Sequence, residues 1–254
     1  MPRTVPSTID LSTVTVAVVL PGTGSDANFV GRVFRGALRS RGIDVVAVDP
    51  DPRGVVRSYV RAMDAAARSG PILVGGVSIG AAVALQWAAE HPDLAAGVLA
   101  ALPAWTGDPA AAPAAASARW TASELRAHGL DAVTAAMAAS SPSWLATELT
   151  RSWKAQWPDL PSALEEAAGM HALDVDRLRA LEVPVGIAAA VDDAVHPFET
   201  AEQWAREIPR AALGSLRLAD IGADPGRLGT MCLTALDQAC AGPAPREDRT
   251  GGTG

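Results

Sequence analysis

The β-like segments of this chain are apolar at nearly every position rather than at alternate ones. Thr13 to Leu20, Ile43 to Val48, Pro71 to Gly75 and Ala95 to Leu102 are such runs. Helical stretches follow the first three, at about Ala27 to Arg41, Val55 to Arg68 and Ile79 to Glu90. A strand with one face in water alternates apolar and polar side chains, whereas a strand covered on both faces does not. Buried strands separated by helices predict a parallel sheet with right-handed helical crossovers, because parallel neighbours cannot be joined by a tight hairpin. The alternation stops at residues 105–182, where an Ala/Pro-rich stretch (Asp108 to Ala116) leads into several helical segments without a strand. It resumes with a strand at Val183 to Val191, a helix at Pro197 to Ile208, a strand at Ser215 to Ala219 and a helix at Leu228 to Ala241. The expected architecture is α/β, a doubly wound, mainly parallel sheet with a helical insertion. Its parts are a core in two pieces (1–104 and 183–241), a helical cap (105–182) and a disordered Gly/Pro-rich tail (242–254).

With 49% apolar and 19% charged residues, the chain can bury a large core and does not have the composition of a disordered protein. The net charge of −7 and the absence of a basic stripe argue against nucleic-acid and anionic-membrane partners. No apolar run approaches the roughly 20 residues of a membrane span. Arg3 followed by Val14 to Leu20 imitates a signal peptide, but the run is short and ends in Pro21-Gly22-Thr23-Gly24, as a strand entering a turn would. The expectation is a cytoplasmic protein. Cys232 and Cys240, eight apart on a helical segment, would lie about 12 Å apart along the axis, too far for a disulfide. They are expected to be thiols in a reducing compartment.

The segment richest in chemistry is Gly76-Val77-Ser78-Ile79-Gly80, a G-x-S-x-G pattern between a buried strand and an apolar helix. A serine there sits on a strained turn that demands small neighbours two residues away on each side. Its hydroxyl projects at the top of the sheet, and the next amide can stabilise an oxyanion. In this motif and in the order of its elements, over about residues 12–241, the chain resembles the α/β-hydrolase superfamily, in particular small soluble members with a helical cap. The resemblance implies Ser78 as nucleophile and a second oxyanion amide in the loop after the first core strand. That makes the oxyanion donors Thr23 and Ile79. An acid four residues before the proline that starts a helix falls on Asp193, with Asp192 as the close alternative. The superfamily's Gly-His pair after the last strand is replaced here by a stretch containing Asp224, and no histidine follows His196. Among His91, His128, His171 and His196, the last is the best candidate for a displaced base because it shares a loop with Asp193; His171 is second.

A competing reading exists for Gly22-Thr23-Gly24-Ser25-Asp26-Ala27, which fits a loose dinucleotide fingerprint with Asp49 closing the next strand. Asp26 opposes it, since it places a carboxylate where a pyrophosphate would lie. In and around the insertion, Trp105, Trp153 and Trp157 are candidates for an aromatic, apolar acyl pocket; Trp153 and Trp157 are spaced i, i+4 with Leu149 one turn earlier. No residue cluster has metal-ligand spacing. The sequence therefore points first to a serine hydrolase acting on an ester or thioester of a small apolar acyl substrate. That reading needs no cofactor and no partner beyond a small molecule, and it leaves oligomeric state open. The alternatives are a lyase, cyclase or isomerase lacking a full triad, a noncatalytic ligand-binding protein on the same scaffold, and a nucleotide enzyme.

Overall fold

A computed structural model describes residues 10–242; Arg3 and all of the predicted tail except Gly242 lie outside them. After a single 3-10 turn at Leu11–Thr13, the chain alternates β1 (Val16–Leu20), α1 (Ala27–Arg39), β2 (Asp44–Ala47), α2 (Val55–Ala67), β3 (Ile72–Val77), α3 (Ile79–Glu90) and β4 (Ala95–Ala101). The helices α4 (Pro113–Ser140), α5 (Ser143–Gln156), α6 (Leu160–Ala168) and α7 (Val175–Arg179) follow without a strand. The chain then completes β5 (Val185–Ala190), α8 (Phe198–Glu207), β6 (Ala211–Leu216), α9 (Leu218–Ala223) and α10 (Gly226–Ala241). The strands form one sheet in the order β2-β1-β3-β4-β5-β6, and every pairing is parallel.

The apolar-throughout strands find a use for both parities. Ala17 and Val19 of β1, with Leu73, Leu99 and Ala188, face α1 and α10. Val18 and Leu20, with Val74, Val98 and Ile187, face α2, α3 and α8. The two layers sandwich the sheet, and α3 is apolar nearly all round because the sheet, α2 and the residues after β4 enclose it. Fully buried side chains such as Phe34, Leu38 and Met63 contribute about 1.5–3 kcal/mol each.

Two expected boundaries move. The third strand runs past Gly75 to Val77, with Gly75 and Gly76 in register opposite Leu99 and Ala100. The last strand spans Ala211–Leu216 rather than Ser215 to Ala219, and residues 218–223 are helical. There the Asp220 carboxylate accepts from the Arg217 amide (3.0 Å) and Asp192 accepts from the Leu218 amide (2.8 Å), so polar groups begin a helix where the apolar pattern suggested a strand. Among the described residues no helix is long and apolar enough to cross a membrane. Cys232 is buried in α10, where burial pushes its thiol pKa far above the ordinary range, and Cys240 is partly exposed on the same helix.

Where α1 and α10 cross, a Cβ on Gly229 would overlap the carbonyl oxygen of Val33, whereas a Cβ on Gly36, exposed on α1, would meet nothing within 4 Å. The same substitution should therefore have opposite signs. Gly229→Ala is expected to lose about 1–3 kcal/mol by forcing the helices apart. Gly36→Ala should gain about 0.5–1 kcal/mol from helix propensity. Urea unfolding of the two variants checks both.

Candidate functional site

The chain leaves β1 toward one edge of the sheet to form β2, then crosses back to β3 and continues toward the other edge. Ser78 follows β3 directly, at the carboxyl end of the strands beside this reversal, the crevice where open α/β sheets bind ligands. Its backbone is in a left-handed conformation (φ 57°, ψ −117°), uncommon for a residue with a Cβ. Hydrogen bonds hold that strain in place: the Ser78 amide donates to the Ala101 carbonyl (2.9 Å), and the Ser78 carbonyl accepts from the Ala82 amide (3.2 Å). The two glycines of the motif answer to close packing. A Cβ on Gly76 would lie 2.6 Å from the Leu20 carbonyl oxygen and from the Gly80 backbone, and one on Gly80 would overlap the same Leu20 oxygen.

The loop between β5 and α8 brings two more groups to Ser78. His196 Nε2 lies 2.9 Å from Ser78 Oγ, and His196 Nδ1 lies 2.8 Å from Asp193 Oδ2. Asp193 shapes the loop with its other oxygen, which accepts from the amides of Val195 (2.8 Å) and His196 (3.2 Å), an Asx turn that aims the imidazole three residues on. Pro197 then leads directly into α8. The site is sheltered, with Ser78 7% exposed and the side chains of His196 and Asp193 17% and 8% exposed. Burial pushes the Asp193 pKa up. Its hydrogen bond to His196, the imidazole's charge and the two backbone amides outweigh that push and hold the carboxyl below the usual range. An ionised Asp193 can only accept, so the imidazole proton sits on Nδ1 and Nε2 is left to accept from the Ser78 hydroxyl.

The loop after β1 passes the other side of the serine. A Cβ on Gly22 would lie 3.5 Å from Ser78 Cβ. The carbonyls of this loop are engaged one after another: Pro21 O accepts from Tyr59 Oη (3.1 Å), Gly22 O from the Ser25 amide (3.0 Å), Gly24 O from Ser152 Oγ and Ser25 O from Gln156 Nε2 (3.0 Å). Among the described residues the amides of Thr23 and Ile79 have no hydrogen-bond partner.

No protein-family model matches the sequence, and no curated protein does. Solved structures match at low identity. A carboxylesterase structure from the thaumarchaeon Nitrososphaera gargenis has a TM-score of 0.69 at 14% identity, covering 91% of this chain and 92% of that one. An esterase from Thermogutta terrifontis gives 0.66 at 19% identity over 89% and 91%, and an enol-lactonase from Burkholderia xenovorans 0.61 at 15% over 80% and 83%. The chain has the α/β-hydrolase fold.

Within this α/β-hydrolase fold the imidazole beside Ser78 comes from the loop after β5, not from the end of the last strand. Asp224, at the position where the resemblance would put a histidine, follows α9 and accepts from the Gly226 amide (2.9 Å) at the start of α10. Asp192 is turned to α9 through the Leu218 amide and does not join the Ser78 line. His91 caps α3 and stacks on Trp87, His128 pairs with Glu124 on α4, and His171 is exposed in the insertion.

The polar contacts of the first loop weigh against its dinucleotide reading. Asp26 caps α1 through the Phe29 amide (3.0 Å) and is clamped by Arg151 (2.9 Å), while the Trp153 indole lies against Gly24. Asp49 is committed to the Ala27 amide (3.1 Å). A carboxylate of the protein thus caps the start of α1, where a pyrophosphate would have to bind.

The three candidate tryptophans differ in their surroundings. Trp105 is a core residue whose indole donates to the Met170 carbonyl (3.1 Å). Trp153 is buried among Ala122, Leu125, Leu160 and Leu164, but Trp157 is 39% exposed. Helix α5 ends at Gln156 with Trp157 as its C-cap, the Trp157 amide donating to the Trp153 carbonyl (3.0 Å) before the chain turns away.

Sequence reasoning missed Leu102, a second left-handed residue (φ 50°) at the tip of β4 next to the Ala101 carbonyl that holds Ser78. It also missed the exposed Val191 and Val195, which flank Asp193 on its loop. Neither carries a compositional signal, because valine is ordinary in a strand–loop junction and leucine is a poor left-handed former. Among the described residues, no three His, Cys, Asp or Glu are grouped so as to hold a metal ion.

Because the Asp193 carboxyl is held low in the folded protein, its contribution to stability is full above the unfolded-state value of about 3.9 and is lost as pH falls through the lower folded value. The melting-temperature gap between wild type and Asp193→Asn should be widest near neutrality and close below about pH 4. Thermal scans across that range check it.

Proposed function

We propose that the protein is a serine hydrolase that cleaves an ester or thioester of a small apolar acyl group. The observation that carries this reading is the hydrogen-bonded line from Ser78 Oγ through His196 to Asp193, with both contacts at 2.8–2.9 Å. A serine hydroxyl is a weak nucleophile at neutral pH until an adjacent base takes its proton. Here Nε2 of His196 accepts that proton as Oγ attacks the carbonyl carbon, and Asp193 stabilises the imidazolium that results. The negative charge developing on the carbonyl oxygen falls to the amides of Thr23 and Ile79, which have no other claim on them. His196 then returns the proton to the leaving alcohol or thiol. A water molecule, activated the same way, releases the acid and frees Ser78.

The apolar acyl preference is supported by Val191 and Val195, exposed on either side of Asp193 in the loop that carries His196. The lyase, cyclase or isomerase and noncatalytic alternatives drew their weight from a missing imidazole. An imidazole within hydrogen-bond distance of Ser78 removes that ground.

Short-chain p-nitrophenyl esters and their thioester counterparts test the proposal. His196→Ala should lower kcat by about 10⁶-fold and Asp193→Asn by about 10⁴-fold where chemistry limits turnover, with the fold retained by circular dichroism. Equal turnover by wild type and His196→Ala would remove the imidazole from the mechanism.

A further inference from the structure

We propose that helix α5 of the insertion sets the geometry of the oxyanion loop, with Ser152 as the positioning residue and Gln156 as its support. The inference rests on the serine-hydrolase reading and goes beyond it by naming residues more than 120 positions from the loop they control.

Rigid peptide planes carry the coupling from α5 to the loop. A peptide unit is rigid, so fixing its carbonyl also fixes the N–H on the opposite side of the same plane. Ser152 Oγ donates to the Gly24 carbonyl, which fixes the plane carrying the Ser25 amide. That amide donates to the Gly22 carbonyl at 3.0 Å, which fixes the plane carrying the Thr23 amide. The Thr23 amide is the one this loop would offer to a developing oxyanion. Two hydrogen bonds thus carry the position of Ser152 to the Thr23 N–H. Gly24 sits at φ 69° and lacks a Cβ, so the Ser152 hydrogen bond and the packing of Trp153 restrain a residue whose backbone is otherwise free to rotate.

The side chains around this contact serve the same end. Gln156, one turn along α5, donates to the Ser25 carbonyl at 3.0 Å, and Arg151 grips both oxygens of Asp26, the cap of α1 (2.9 Å each). Ser152 is 1% exposed, and Trp153 packs between Leu164 and Gly24. A buried hydroxyl and a buried amide aimed at successive carbonyls of one loop are more than helix packing requires, since apolar side chains would fill the same space.

The effect expected of a misplaced oxyanion donor is on the chemical step. Ser152→Ala and Gln156→Met, assayed with p-nitrophenyl acetate below the melting temperature of each variant, should lower kcat by about 10–100-fold while KM stays within about threefold. A role confined to packing would lower the melting temperature and leave kcat unchanged, and that result overturns the inference while leaving the hydrolase reading standing. If Ser152→Ala fails to fold, Gln156→Met carries the same test. Wild-type protein that does not hydrolyse the ester at all would instead overturn the hydrolase reading, and this inference with it.

Discussion

The carbonyl oxygens of Leu20 and Pro21 lie where a side chain on Gly80 would have to be, and the Leu20 oxygen also crowds Gly76. This backbone-to-backbone approach at the end of β1 and β3 is the constraint from which the site follows. It brings the first loop against Ser78, and it holds the start of α3 so close to the sheet that the turn between them must be sharp. The strain appears at Ser78, whose left-handed backbone is tied down on both sides by hydrogen bonds to Ala101 and Ala82. A hydroxyl on such a turn is presented to the crevice without a mobile loop to carry it.

The second organising contact is between the insertion and the starts of two core helices. Arg151 of α5 meets Asp26 at the cap of α1, and Glu166 of α6 accepts from the amides of Val55 (2.8 Å) and Val56 (3.1 Å) at the start of α2. Helix N-termini leave amides unsatisfied and favour negative charge, so a carboxylate from the insertion replaces the cap that Gly54 cannot supply. The insertion is thereby docked on both sides of the sheet's carboxyl edge.

Much of this was legible in the sequence for a simple physical reason. Strands buried on both faces must be apolar on both parities, so β1, β3, β4 and β5 announced a covered parallel sheet. The spacing of Gly76 and Gly80 about Ser78 reported steric crowding that only glycine tolerates. Asp193 and His196 could be nominated together because they share one loop, while the choice between Asp192 and Asp193 needed the Asx turn that only coordinates show. What could not be read depended on distant partners. Ser152 meets Gly24 across 128 positions, α9 begins where Asp192 reaches the Leu218 amide from the loop after β5, and Trp105 is buried where Trp157 is exposed. The vacant histidine position at Asp224 suggested a broken site, because sequence order records which loop carries a residue in relatives but not which loops meet in space.

The central claim, that Ser78 is activated by His196, is most directly tested by treating the folded protein with a fluorophosphonate and locating the adduct by peptide mass spectrometry. A single phosphonylated peptide containing Ser78 is expected from the wild type, and none from Ser78→Ala or His196→Ala. Absence of label on folded wild-type protein, or labelling of Ser78 at an equal rate without His196, would contradict it.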